Sequence, residues 1–186
     1  LDAAVESFEK ALAIKPDYTE VCYNLGIVFM GLGQLDEAVK SYEKALTLKP
    51  NYAEAHYNLG IAFKKLGQLD TAVEHYEKAI AIQPDYAEAH NNLGNVLNDL
   101  GQLDDAVKSY EKTLTLKPNY AEAHNNLGNA FKKLGQLDDA VKSYEKTLTL
   151  KPDDAETYSN LGIVYMQLNQ TDVALKCYKK ALAIKP

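Results

Sequence analysis

The string GQLDDAVKSYEKTLTLKP at residues 101–118 returns letter for letter at 135–152, an offset of 34 residues. The same offset separates Pro16, Pro50, Pro84, Pro118, Pro152 and Pro186, and also Gly26, Gly60, Gly94, Gly128 and Gly162. AFKKLGQLD recurs at 62–70 and 130–138, twice that spacing. A fixed period between about 20 and 50 residues marks one supersecondary unit stacked on itself. The chain is therefore expected to be a solenoid, whose units share a continuous core and whose function lies on an extended surface rather than in one core-lined cleft.

Setting the prolines in register gives the second helix of a truncated repeat at 1–18 and full repeats at 19–52, 53–86, 87–120, 121–154 and 155–186. Each repeat reads as two helices. In the second, the first helix runs from Ala53 to Leu66 and follows Pro50-Asn51; Asn51 with Glu54 three residues later has the form of a capping box. Pro50 ends the preceding helix, since it lacks an N–H and restricts the residue before it. Gly67 stands at the turn, as do Gly33, Gly101 and Gly135, and Asn169 replaces glycine in the last repeat because Asn tolerates the left-handed conformation. The second helix runs from about Leu69 to Ile82. Asp36, Asp70, Asp104, Asp138 and Asp172 place negative charge at the positive end of each second helix.

Helical spacing sets Leu59, Gly60 and Phe63 on one face and Ala72, Tyr76 and Ala79 on the facing stripe. The small residues let two backbones approach while the aromatic rings fill the space beside them. This order of Leu-Gly, an aromatic, then Ala, aromatic, Ala and Pro resembles the tetratricopeptide repeat (TPR) signature in every full repeat. The departures are Leu97 at the aromatic column and Thr113 and Thr147 at the last Ala column. The resemblance implies an all-α fold, a TPR α-solenoid built as a right-handed superhelix of antiparallel helix pairs. It further implies a non-catalytic protein–protein interaction scaffold that takes a protein or peptide ligand in extended conformation in its concave groove.

Composition narrows the classes. The 186 residues are 46% hydrophobic and 25% charged, ordinary for an ordered protein. The net charge is −6 and every one of the 20 basic residues is Lys, a poor basis for binding nucleic acid. No apolar run approaches the ~20 residues that cross a bilayer, and no signal peptide is visible, so no membrane role is expected. Cys22 and Cys177 sit in the first and last full repeats, too far apart to bridge in a solenoid, which favours a reducing, cytoplasmic location. The chain opens on Leu1 in mid-repeat and reads as a piece of a longer protein.

One column carries the functional expectation: Asn24, Asn58, Asn92, Asn126 and Asn160, one per full repeat and two residues before the glycine. Asn costs on the order of half a kcal/mol against Ala in mid-helix. In TPR superhelices this column faces the concave groove, and the ladder resembles that of the O-linked N-acetylglucosamine transferases, where asparagines hold a peptide by its backbone. A carboxamide has one acceptor and two donors, enough to pair with a peptide N–H and C=O whatever the peptide's side chains. A repeat advance of roughly 10 Å spans about three residues of extended chain, so five asparagines hold roughly 15 residues. By the same resemblance the chain could serve as the substrate-recognition arm of a larger enzyme such as an O-linked glycosyltransferase.

Neighbouring positions complete the expected groove. Tyr23, Tyr57, Asn91, Asn125 and Ser159 form one column, and Ile27, Ile61, Asn95, Asn129 and Ile163 another, amide-rich in the middle and apolar at the ends. Lys64-Lys65 and Lys132-Lys133 follow one turn later; Lys64 and Lys132 are groove candidates, although exposed lysines are usually solvated surface. The carboxylate clamp of chaperone-tail TPRs is not expected, because Glu20, Glu54, Glu88, Glu122 and Glu156 occupy that neighbourhood and the chain has no Arg.

His56, His90 and His124 form a regular column with Cys22 and Tyr158. Zinc needs ligand atoms about 2 Å from one ion, whereas residues in successive repeats stand a helix pair apart, so the column is expected to pack where the TPR signature has Trp. Cys22 is expected to be a small buried residue. No phosphate loop, nucleophile elbow or paired-carboxylate site appears, and no cofactor is expected. Homo-association through the repeat ends is a further expectation, since uncapped ends expose apolar surface. Asn169-Gln-Thr is a formal glycosylation sequon at a position that already has a turn to make.

Overall fold

A computed structural model describes residues 2–185. The described residues form eleven α-helices and no strand: α1 (Asp2–Ile14), α2 (Thr19–Leu32), α3 (Leu35–Leu48), α4 (Ala53–Lys65), α5 (Leu69–Ile82), α6 (Ala87–Asp99), α7 (Leu103–Leu116), α8 (Ala121–Leu134), α9 (Leu137–Leu150), α10 (Ala155–Gln167) and α11 (Thr171–Ile184). Two compact units are distinguished, residues 1–96 and 97–186.

Sequence explains where the helices stop. Gly33 and Gly135 take up φ of 75° immediately after α2 and α8, and their N–H groups reach back to carbonyls of the last turn. Asn169 does the same job at φ 60°, the single non-glycine residue with positive φ among those described. Asn is the residue that best replaces Gly there, because its short polar side chain tolerates the left-handed region. Acidic residues open the second helix of every full repeat, Asp36 and Glu37 in α3 and Asp70 in α5 among them, facing the partial positive charge of unpaired N–H groups.

Helix starts depart from expectation. The N-cap of α4 is Tyr52, not Asn51, and its side chain makes no capping bond. At α10 the cap does form, with Asp154 accepting from the Thr157 N–H at 3.0 Å. Tyr52 instead packs its ring on Tyr23, with centroids 4.9 Å apart, so the ring takes precedence over a capping oxygen there.

In the unit spanning residues 1–96, α1 packs on α2, α2 on α3, α3 on α4, and α4 on α5. Its core holds Ala38, Tyr42 and Leu59, flanked by Tyr23, Phe29, Met30, Val39, Leu46 and Phe63. The columns read from sequence lie where the spacing puts them: Leu59, Ala72, Tyr76 and Ala79 are all at most 1% exposed. Gly60 shows why this column must stay bare. A Cβ there would sit 2.6 Å from Cε1 of Tyr76, and Tyr76 is fully enclosed. The backbone of α4 therefore lies against the ring of α5, an approach only Gly permits.

In the unit spanning 97–186, α7 packs on α8, α8 on α9, α9 on α10, and α10 on α11. Ala140, Tyr144, Leu161, Val164 and Cys177 form its core. Thr113 and Thr147, standing where the signature has Ala, are buried with their hydroxyls bonded to the carbonyls of Ser109 and Ser143 at 3.0 and 3.1 Å. That back-bond satisfies a polar group that burial would otherwise penalise. Cys22 and Cys177 are free and buried, and burial pushes both thiols up from their ordinary range.

Candidate protein-interaction site

The ladder asparagines project from the first helix of each repeat, and their partners differ. Asn58 on α4 donates from Nδ2 to the Tyr23 hydroxyl on α2 at 3.0 Å. Asn92 on α6 donates to the Tyr57 hydroxyl on α4 at the same distance. Two expected contact columns are thus joined to each other, Asn of one repeat to Tyr of the repeat before. Each tyrosine is seated by two more rings. Tyr23 lies 4.9 Å from Tyr52 and 5.8 Å from Tyr42 between centroids; Tyr57 lies 4.8 Å from Tyr86 and 6.0 Å from Tyr76. Burial pushes the Tyr23 phenol up, with the Asn58 bond acting the other way.

This arrangement corrects the simplest view of the ladder. One of the two donors of Asn58 and of Asn92 is committed inside the protein. On Asn58 the carboxamide oxygen and the second N–H remain for a ligand, whereas Asn92 also engages the Tyr76 hydroxyl and has less of its amide left over. Asn24, at the start of the series, is exposed. Ile27 beside it is 45% exposed, and Ile61 is half-buried.

The residue types change in the second unit, and so do the partners. Asn125 accepts from the Thr157 hydroxyl at 3.1 Å, and Asn129 accepts from the Tyr144 hydroxyl at 2.7 Å. Asn160 accepts from Lys132 Nζ at 2.8 Å, and Lys133 reaches Asn98 at 3.0 Å. Lys132 also lies 6.0 Å from the Tyr144 ring centroid. Its ammonium is held below the usual lysine range, first by burial and then by Lys133. Lys132 is therefore fixed by an internal amide and not simply solvated. Asn126 is half-buried on α8. Asn91 is buried on α6, and Asn95 and Lys64 are half-buried. Asn91 accordingly presents little surface to a ligand.

A profile described as "TPR repeat" matches residues 28–67, 62–98, 94–135 and 128–169, and two described as "Tetratricopeptide repeat" match 1–40 and 155–186. The chain belongs to the tetratricopeptide repeat family. Its class is the all-α TPR solenoid. Among solved structures, it is similar to MamA at 29% identity and a TM-score of 0.84, over 87% of this chain and 94% of that one. It is also similar to YrrB, described as a TPR protein with an unusual peptide-binding site, at 26% identity and a TM-score of 0.85, over 98% and 94% of the two chains. MamA 41-end from Desulfovibrio magneticus RS-1, at 23% identity, shares the fold with a TM-score of 0.86 over 90% and 94%. No curated protein sequence matches significantly.

As a TPR protein the chain is a protein–protein interaction scaffold, and none of its described helices is long and apolar enough to cross a membrane. No group of three or more His, Cys, Asp or Glu side chains converges on a metal position among the described residues.

One feature of this TPR went unread in sequence. His75 on α5 lies with Nδ1 3.1 Å from Nδ1 of His56, and its ring stacks on Phe63 with centroids 5.3 Å apart. The signal was present: HYEK at 75–78 stands where the neighbouring repeats have SYEK at 41–44, 109–112 and 143–146. Burial holds the His75 imidazole down at about 4, with His56 and Lys78 adding to the effect. His56 is also lowered, chiefly by burial, and its Nε2 meets the Pro50 carbonyl at 3.3 Å. His90 and His124 make the same contact with Pro84 and Pro118, at 3.1 and 2.9 Å. In the three middle repeats this histidine thus ties the first helix to the loop before it.

Proposed function

We propose that the chain binds an extended peptide by its backbone along the ladder face of its first helices. In the unit spanning residues 1–96 the contact set is Asn24, Asn58 and Asn92, with Ile27 and Ile61 offering apolar contact to alternate side chains. One observation carries this reading: Asn58 and Asn92 each hold the tyrosine of the preceding repeat through Nδ2 at 3.0 Å, and on Asn58 the carboxamide oxygen makes no hydrogen bond among the described residues. The bond to Tyr fixes each side-chain rotamer, so the acceptor and remaining donor of Asn58, and what Asn92 has left beside Tyr76, are presented without the entropy cost of ordering them on binding. A peptide N–H and C=O fit that pair. Three such positions span roughly nine residues of extended chain. In the unit spanning 97–186, Asn126, Asn129 and Asn160 with Lys132 supply the corresponding surface, and Lys132 adds a cation that favours an acidic side chain on the ligand.

The similarity to YrrB, whose description names a peptide-binding site, supports the class of ligand. Its position here is tested by substitution. Peptides of about 15 residues would be selected against the full chain from a random library. Each selected peptide would then be remade with N-methylated backbone amides. The reading expects N-methylation to abolish binding, and Asn58→Ala with Asn92→Ala to weaken it about ten-fold or more, while Tyr23→Phe, which keeps both carboxamides, weakens it less. Binding indifferent to both N-methylation and the asparagines would sink the proposal.

A further inference from the structure

We propose that His56 and His75 form a two-histidine chelate for a divalent transition ion of the zinc and nickel class. The inference is independent of the peptide reading. The two rings come from the two helices of one repeat, α4 and α5, and their Nδ1 atoms stand 3.1 Å apart. Imidazole nitrogens bind such ions at about 2.05 Å, and two bonds of that length to atoms 3.1 Å apart open an angle of roughly 100°, between the octahedral and tetrahedral values. The separation therefore matches the bite of a chelate, and each ring has to turn its lone pair by roughly 40° off the N···N line to meet the ion.

The surroundings orient it. The Nε2 of His56 faces the Pro50 carbonyl at 3.3 Å, so this nitrogen carries the proton and Nδ1 carries the lone pair. A backbone carbonyl on the far nitrogen is the usual way a ligating imidazole is fixed in tautomer and direction. His75 is held flat by Phe63, at 5.3 Å and 21° between rings. Without the ion, His75 Nδ1–H donates to His56 Nδ1; with the ion, that proton resides on His75 Nε2, a tautomer change that leaves both rings neutral. Both side chains are half-buried, which leaves the remaining coordination positions to water. Lys78 bears on both rings as a positive charge and weakens the site.

Repetition makes the pair stand out. The position of His75 is Ser7, Ser41, Ser109, Ser143 and Cys177 elsewhere, and only in the repeat at 53–86 does a second imidazole meet the histidine of the first helix. The fold accepts serine there four times, so the site is an addition to the repeat and not a packing requirement.

That same repetition supplies the experiment. Zn2+ would be titrated calorimetrically into the full chain, into His75→Ser and into Ser143→His, with helicity and melting recorded for each. In the last variant His124 already has its Nε2 on the Pro118 carbonyl at 2.9 Å, and Phe131 stands where Phe63 does. The expected result is one equivalent bound by the native chain, affinity lower by about ten-fold or more in His75→Ser as the chelate is lost, and a second equivalent in Ser143→His. Equal affinity of the native chain and His75→Ser overturns the proposal, as does a folded Ser143→His variant that gains no site.

Discussion

Asn58 Nδ2 lies 3.0 Å from the Tyr23 hydroxyl, and Asn92 repeats that distance to Tyr57 one period later. The asparagine column is thus part of the joint between consecutive repeats. Asn occupies a mid-helix position that propensity would give to Ala, and the bond to the preceding repeat offsets the difference. A residue can therefore be both a structural tie and a presented amide.

Removing either side of the tie should cost stability. Tyr23→Phe is expected to lower the unfolding free energy by about 1 kcal/mol and Asn58→Ala by a similar amount, because Ala regains part of the loss through helix propensity. In a double-mutant cycle followed by urea denaturation, the coupling should be about 0.5–1.5 kcal/mol. Strict additivity would mean that the bond adds nothing to the joint.

Gly60 tests close approach. Gly→Ala in a helix interior ordinarily gains up to about 1 kcal/mol. Here the added Cβ meets the enclosed Tyr76 ring at 2.6 Å, and overpacking of that kind costs about 1–3 kcal/mol. Gly60→Ala is expected to be net destabilising, and pairing it with Tyr76→Leu should recover part of the loss. A rise in melting temperature for the single variant would contradict the packing described.

At Asn169 the sign is set by backbone conformation. With φ at 60°, Asn169→Gly should be neutral or stabilising by a few tenths of a kcal/mol, whereas Asn169→Ala should cost roughly 1 kcal/mol. Thermal melts of the two variants, compared with the parent, distinguish them.

The histidine pair predicts a pH dependence, best read with a chelator present. The folded chain holds His75 at about 4, against an ordinary value of 6.5. Above pH 6.5 both folded and unfolded states carry neutral His75, so its contribution is flat. As pH falls from 6.5 towards 4, the unfolded chain takes up the proton first, so stability declines across that window. The loss should be on the order of 1–2 kcal/mol after discounting for solvent screening. His75→Ser should flatten this part of the profile; an unchanged slope would place the acid sensitivity elsewhere.

Much of the fold was legible because a period of 34 is a local statement repeated. Helix α5 starts at Leu69 and ends at Ile82 as the spacing requires, and the Ala72–Tyr76–Ala79 stripe is buried. The capping expectation at Asn51 failed because a ring, Tyr52, was needed at that place more than an oxygen was. Of the candidate site, the columns could be listed but not their partners. Asn58 and Asn160 occupy the same position of their repeats, yet one donates to a phenol 35 residues upstream and the other accepts from a lysine 28 residues upstream.

By itself, then, the sequence determined the repeat, the helix pairs, the left-handed turns and the glycine that admits a tyrosine, since all of these follow from period, side-chain size and φ preference within one unit. Only the tertiary structure decided which amides are committed and which are presented, and that His56 meets His75. Those outcomes depend on distances between side chains carried by different helices, at 3.0 and 3.1 Å, a scale at which spacing along the chain carries no information.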